Sequence, residues 1–182
     1  YGPNAAALLR LKAEGVSLVV TVDCGVNAHA ALAEAAAAGL DVIVVDHHQG
    51  PLALPAAVAV INPNRLDEDG RYGFLAAVGV AFLLAVAVNR HLRRAGWYAS
   101  RPEPDLMALL DLVALGTVCD VVPLVGVNRA FVTQGLKIMA RRDNAGLRAL
   151  ADVARVDGAP SAFDLGFVLG PRVNAGGRIG EP

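Results

Sequence analysis

The chain of 182 residues is 55% hydrophobic and 18% charged, with a net charge of -1. That composition supplies one domain's worth of chain with a real core and excludes a disordered or low-complexity segment, which needs low hydrophobicity and high charge. Charge is divided unevenly, with 8 basic and 12 acidic side chains in residues 1–120 and 8 and 5 in residues 121–182. The basic last third could meet a polyanionic partner, but an excess this small fits an ordinary solvated surface better.

The longest uncharged apolar run, Phe74 to Val88, falls short of the ~18 to 20 residues that span a bilayer and reads as a buried helix. Two cysteines, Cys24 and Cys119, are too few for a disulfide framework, and no basic-then-apolar leader opens the chain. The expected compartment is the cytoplasm, without a membrane partner. The start at Tyr1 without Met and the finish at Gly180-Glu181-Pro182 read as cut ends.

Asn4 is placed to cap a helix to about Glu14 that Gly15 ends. Ser17 to Val22 reads as a buried strand, Asn27 as the cap of an alanine-rich helix closed by Gly39, and Asp41 to Val45 as a second continuous apolar strand. Strand, helix and strand make a βαβ unit, whose parallel strands deliver their C-terminal ends to one sheet edge. A third short strand is expected over Ala57 to Ile61, then a polar loop from Asn62 to Tyr72. Beyond it the pattern turns helical, over about 75–95, 105–115, 127–142, 145–155 and 162–169, with Gly96 to Pro104 as a linker. The expected class is α/β, a parallel sheet with flanking helices over residues 1–95, followed by a mostly helical part of the same domain over 96–182.

Two polar clusters follow the two best strands: Asp23-Cys24-Gly25 after the first and Asp46-His47-His48 after the second. In parallel α/β sheets that edge binds ligands, and carboxylates beside imidazoles suit a divalent cation such as Mn2+. A turn residue or a satisfied surface histidine explains each group singly, but not three ionisable residues in a row after an apolar strand. Asp120 follows an apolar helix and a Gly116-Thr117 turn, flanked by Val118 and Val121; it reads as either a metal ligand or an N-cap.

These residues carry a resemblance. The segments Thr21–Gly25, Val44–His48, Ile61–Asn64, Val78–Phe82, Asp111–Leu124 and Leu169–Arg178 resemble, in order along the whole chain, the DHH phosphoesterase superfamily, and within it the RecJ branch of single-strand-specific DNA exonucleases. The resemblance implies a hydrolase with two Mn2+ or Mg2+ ions that removes nucleotides 5′ to 3′ from single-stranded DNA in repair and recombination. By the same resemblance Asp23, His47 and Asp120 ligate metal, Asp46 holds an imidazole in its working tautomer, and His48 lies near the scissile phosphate. Arg172, Asn174 and Arg178 fall in the late block where DNA contacts are expected, or close a helix as solvated groups. Gly176 stands where the family more often has alanine.

The family's upstream Asp-x-Asp strand and its C-terminal nucleic-acid-binding domain are not among these residues, so the expectation is a central fragment lacking its first strand and part of its ligand set. Asp67-Glu68-Asp69-Gly70 has similar letters but follows no apolar strand and reads as a solvated loop. Single-strand-binding protein and a helicase are the partners the family implies. A phosphoesterase for small substrates such as oligoribonucleotides, cyclic dinucleotides or pyrophosphate, and a catalytically silent binding module, are the competing readings.

Overall fold

The computed structural model describes residues 2–176. The chain divides into two compact units, Tyr1–Ala81 and Phe82–Pro182.

In the first unit, helix α1 (Ala5–Ala13) begins where Asn4 Oδ1 accepts the Ala7 N–H at 2.8 Å. Strand β1 (Leu18–Val22), helix α2 (His29–Ala37), strand β2 (Asp41–Val45) and strand β3 (Ala59–Ile61) follow. All three strands are parallel in the order β1-β2-β3, with Val22 opposite Val45 and Val45 opposite Ile61. The α/β class and the parallel sheet are therefore as the apolar runs require, with β3 two residues shorter than expected. Val42, Val44 and Val60 turn one sheet face toward Leu8, Leu32 and Ala35 of the helices, and these form the core of the unit. Period-2 alternation puts Leu18, Val20 and Val22 on the other face of β1, each about half exposed.

Asn27 does not cap α2. The helix starts after Ala28 without a side-chain cap, and the Asn27 amide instead donates to the Gln49 carbonyl at 3.2 Å.

Helix α3 (Ala77–Arg94) crosses the division between the units. Its basic C-terminal turn complements the helix dipole, and Arg93 is paired with Glu103. The expected linker holds a short 3₁₀ turn, Trp97–Ala99, where Arg101 lies over the Trp97 ring at 4.1 Å. In the second unit, a 3₁₀ turn (Leu106–Leu109) leads into α4 (Leu110–Cys119), and α5 (Gly126–Met139) and α6 (Ala145–Val153) follow. A π-helical turn (Asp164–Leu169) continues directly into α7 (Gly170–Gly176). Leu115, Val132, Met139, Leu147, Leu165 and Leu169 are the core of this unit. Gly135 lets α5 approach α4: a Cβ there would stand 2.1 Å from the Leu110 carbonyl oxygen.

Candidate metal centre

The parallel register carries chemistry past the strand ends. Asp23 N–H donates to the Val45 carbonyl at 2.9 Å and Asp46 N–H to the Ile61 carbonyl at 3.0 Å, so the ladder sets Asp23, Asp46 and Asn62 side by side at one edge. Asp23 takes the left-handed conformation at φ 65, which aspartate tolerates better than most residues. Gly25 is required by its own φ of +119, and a Cβ there would meet Thr21 Oγ1 at 2.8 Å.

The edge brings together Asp23, His47 and His48, whose ligand atoms all lie within 4.8 Å of one another. The His47 Nδ1 lies 3.0 Å from the Leu75 carbonyl oxygen, which only accepts, so in the neutral ring Nδ1 carries the proton and Nε2 keeps its lone pair. That Nε2 is 3.2 Å from Asp23 Oδ1, a buried oxygen that receives no hydrogen bond. In that neutral form two acceptors face each other across the gap, an arrangement that a cation held between them relieves. Their separation is close to the roughly 3 Å between neighbouring ligands on an octahedral divalent cation. The donor set, a carboxylate oxygen and imidazole nitrogens, suits Mn2+ or Mg2+ coordination, with imidazole favouring the transition metal.

Asp46 is 1% exposed and faces four donors rather than solvent. Its Oδ2 accepts the Val26 N–H at 3.0 Å; its Oδ1 accepts the N–H groups of His47 at 2.8 Å and His48 at 3.2 Å and lies 2.7 Å from His48 Nδ1. Burial pushes the carboxyl up, but the donors from Val26, the His48 ring and the two histidine amides outweigh it and hold Asp46 below the usual carboxylate range. A permanent carboxylate fixes the orientation of His48, whose ring stands 4.5 Å from that of His47. A cavity of about 260 Å³ opens on the site, lined by Asp23, Gly25, Asn27, Asp46 and His48.

Sequence reasoning named Ile61 to Asn64 only as part of a motif. In the structure Asn62 donates to the His48 carbonyl at 2.9 Å, and Asn64 donates to the carbonyls of His47 at 2.6 Å and Gly73 at 3.0 Å. An Asn-Pro-Asn directly after a strand that ends at the same edge is the signal that points to them.

Asp120 differs from its expectation. Gly116 and Thr117 lie inside α4 rather than in a turn, so Asp120 is the C-cap of that helix and not an N-cap, and it is exposed. Its placement leaves the ligand reading open and removes the burial penalty that the flanking valines suggested. The Asp67 to Gly70 loop is exposed and ties its charges to Arg65 and Arg71. Arg172 and Asn174 stand exposed on α7, with Arg172 Nη1 donating to the Val168 carbonyl at 2.6 Å; Arg178 lies outside the described residues. Asn174 borders a largely apolar groove of about 580 Å³ within the second unit, where Phe163 and Phe167 stack with centroids 4.9 Å apart.

Residues 1–117 match the family described as "DHH family, N-terminal domain". The chain belongs to the DHH family. Over 100% of its length it is 48% identical to the single-stranded-DNA-specific exonuclease RecJ of Dickeya dadantii and 46% identical to that of Escherichia coli, covering 32% of each. The chain thus spans about a third of the length of these curated relatives. Among solved structures, exonuclease RecJ bound to manganese superimposes with a TM-score of 0.82 at 36% identity, covering 100% of this chain and 43% of that one. RecJ in complex with Mn2+ from Thermus thermophilus gives 0.76 at 36% identity, covering 96% and 25%. These DHH-family neighbours hold divalent metal, in agreement with the donor set at the strand edge. Among the described residues no helix is long and apolar enough to cross a membrane.

Proposed function

We propose that this chain carries metal-binding residues of an exonuclease that hydrolyses single-stranded DNA from the 5′ end in DNA repair and recombination. The observation that carries the reading is the convergence of the Asp23, His47 and His48 ligand atoms, with Asp23 Oδ1 3.2 Å from His47 Nε2, at the sheet edge of a DHH-family chain. Likeness to RecJ exonucleases over the full chain supports the choice of DNA over small phosphate substrates.

In this reading Asp23 and His47 hold Mn2+ or Mg2+, and Asp120 enters as a further ligand through its motif alone. Bound divalent cations would neutralise phosphate oxygens and lower the pKa of an attacking water. The chain's own groups organise that chemistry. The Leu75 carbonyl holds the His47 proton on Nδ1 and leaves Nε2 as donor atom. Asp46 orients His48, which faces the cavity and meets the scissile phosphate. Arg172, Asn174 and Arg178 contact the DNA strand, and the stacked, exposed Phe163 and Phe167 beside Asn174 offer aromatic faces to unpaired bases. Single-strand-binding protein and a helicase are the partners that fit such a role.

The test is Mn2+-dependent release of nucleotides from 5′-labelled and 3′-labelled single strands by the intact protein, beside a dinucleotide and a cyclic dinucleotide. Degradation of long single strands from the 5′ end is expected. Turnover confined to the small phosphates would replace this reading with the small-substrate phosphoesterase, and DNA binding without turnover would replace it with a silent module.

A further inference from the structure

We infer that Asn62 and Asn64 are positioning residues for the cation site, acting through the main chain of His47 and His48. The inference rests on the metal-binding reading and adds a part of the machinery that touches neither metal nor substrate.

Each asparagine takes one histidine. Asn62, 4% exposed, donates its amide to the His48 carbonyl at 2.9 Å, while its own Oδ1 accepts the Asn64 N–H at 2.8 Å. Asn64 has two amide hydrogens and two carbonyls to receive them, those of His47 at 2.6 Å and Gly73 at 3.0 Å. Pro63 between them fixes its own φ and keeps Asn62 extended, so the two amides are set at a defined spacing before either bond forms. Gly73 fits under the second amide because a Cβ there would lie 2.5 Å from Asn64 Oδ1.

The circuit closes on the ligand itself. Asn64 ties the segment beginning at Gly73 to the His47 main chain, and two residues on, the Leu75 carbonyl takes the His47 ring proton. Main chain and ring of one histidine are therefore held by the same short segment, which decides where Nε2 points and, in the neutral ring, which nitrogen bears the lone pair. Free rotation about the side chain would otherwise present either nitrogen. Partners of this outer kind change metal affinity by roughly 10 to 100-fold when removed.

The experiment measures Mn2+ binding by loss of the free-ion EPR signal in the intact protein. It compares the unaltered chain, Asn62→Ala, Asn64→Ala and Asn64→Asp, which keeps the shape but sets an oxygen against two carbonyls. Leu32→Ala, a core change on α2 that touches none of the asparagine hydrogen bonds, calibrates a purely structural loss. The asparagine variants are expected to bind Mn2+ roughly 10 to 100-fold more weakly, and Leu32→Ala with unchanged affinity while it remains folded by circular dichroism. Folded asparagine variants with unaltered affinity would overturn the inference, as would an equal loss in Leu32→Ala. An unaltered chain that leaves Mn2+ free overturns the metal-binding reading together with it. Should the variants not fold, long-range ¹H–¹⁵N NMR of the metal-free unaltered protein, at a pH where the ring is neutral, decides: a His47 protonated on Nδ1 is expected, and a neutral ring protonated on Nε2 or averaging between the two would overturn the inference.

Discussion

His47 turns its Nε2 to within 3.2 Å of Asp23 Oδ1 while its other nitrogen is committed to the Leu75 carbonyl. The first prediction follows from that approach, which in the neutral ring sets two acceptors face to face. Asp23→Asn replaces an oxygen by an amide that can donate to Nε2, so the metal-free protein should keep or gain thermal stability while Mn2+ affinity falls at least tenfold. Melting in EDTA beside an Mn2+ titration checks both. An Asp23→Asn protein that melts several degrees lower without metal would show that the pair is a favourable one already.

Gly25 sits at φ +119 with Thr21 Oγ1 2.8 Å from where a Cβ would be, and Val44 next to it. Gly25→Ala should cost about 1–3 kcal/mol through overpacking and backbone strain. Because the same turn carries Asp23, Mn2+ affinity should fall with stability. Denaturant unfolding in EDTA gives the first quantity and a metal titration the second.

Much of this edge was legible in the sequence, and the reason is physical. Parallel strands read as continuous apolar runs, so β2 and also β1, one face of which is half exposed rather than buried as expected, could be placed with the polar residues after them to within a residue. The Asn62 and Asn64 contacts could not, because an amide reaching a main-chain carbonyl 14 to 17 residues back leaves no periodic trace. Asn27 misleads for the related reason that a capping residue type does not state its partner: its amide nitrogen donates to the Gln49 carbonyl, and the cap position of α2 falls one residue on, at Ala28. Asp120 misleads because glycine reads as a break, whereas Gly116 lies inside α4, where tertiary packing overrides its poor helix propensity.

In the second unit, Gly135 of α5 lies directly against α4, with Ala114 Cβ 2.5 Å and the Leu110 oxygen 2.1 Å from where a Cβ would stand. Backbone cannot move aside as a side chain does, so Gly135→Ala should destabilise by about 3 kcal/mol, the upper end for overpacking. Calorimetry should show a clear fall in Tm; an unchanged Tm would mean that α4 and α5 slide freely.

Val121 has φ 59 and is 87% exposed at the C-terminal end of α4, where helices favour glycine. A left-handed conformation costs a side-chain-bearing residue roughly 1–2 kcal/mol, against about 0.5–1 kcal/mol for the greater freedom of an unfolded glycine. Val121→Gly should therefore leave stability unchanged or raise it slightly, and a melting curve that falls by several degrees would contradict this.

Ser161 and Asp164 form a reciprocal cap on the helix that begins at 162: Asp164 Oδ2 accepts the Ser161 hydroxyl at 2.7 Å and its N–H at 2.8 Å. The hydroxyl, then the N–H, hold the carboxyl below its ordinary value of 3.8. A depressed folded-state pKa means stability present above 3.8 and lost as pH falls through the lower folded value. Ser161→Ala should remove about 1 kcal/mol near neutral pH and flatten this part of the acid limb, as read by Tm against pH.

The assignment of Asp23 and His47 as holders of the cation that hydrolyses single-stranded DNA is tested most directly by one comparison. It is Mn2+-dependent release of nucleotides from a 5′-labelled single strand by the intact protein, its Asp23→Ala variant and its His47→Ala variant, with folding verified by circular dichroism. Robust release by the unaltered protein and essentially none by either folded variant is expected. Full activity in either variant would contradict the assignment.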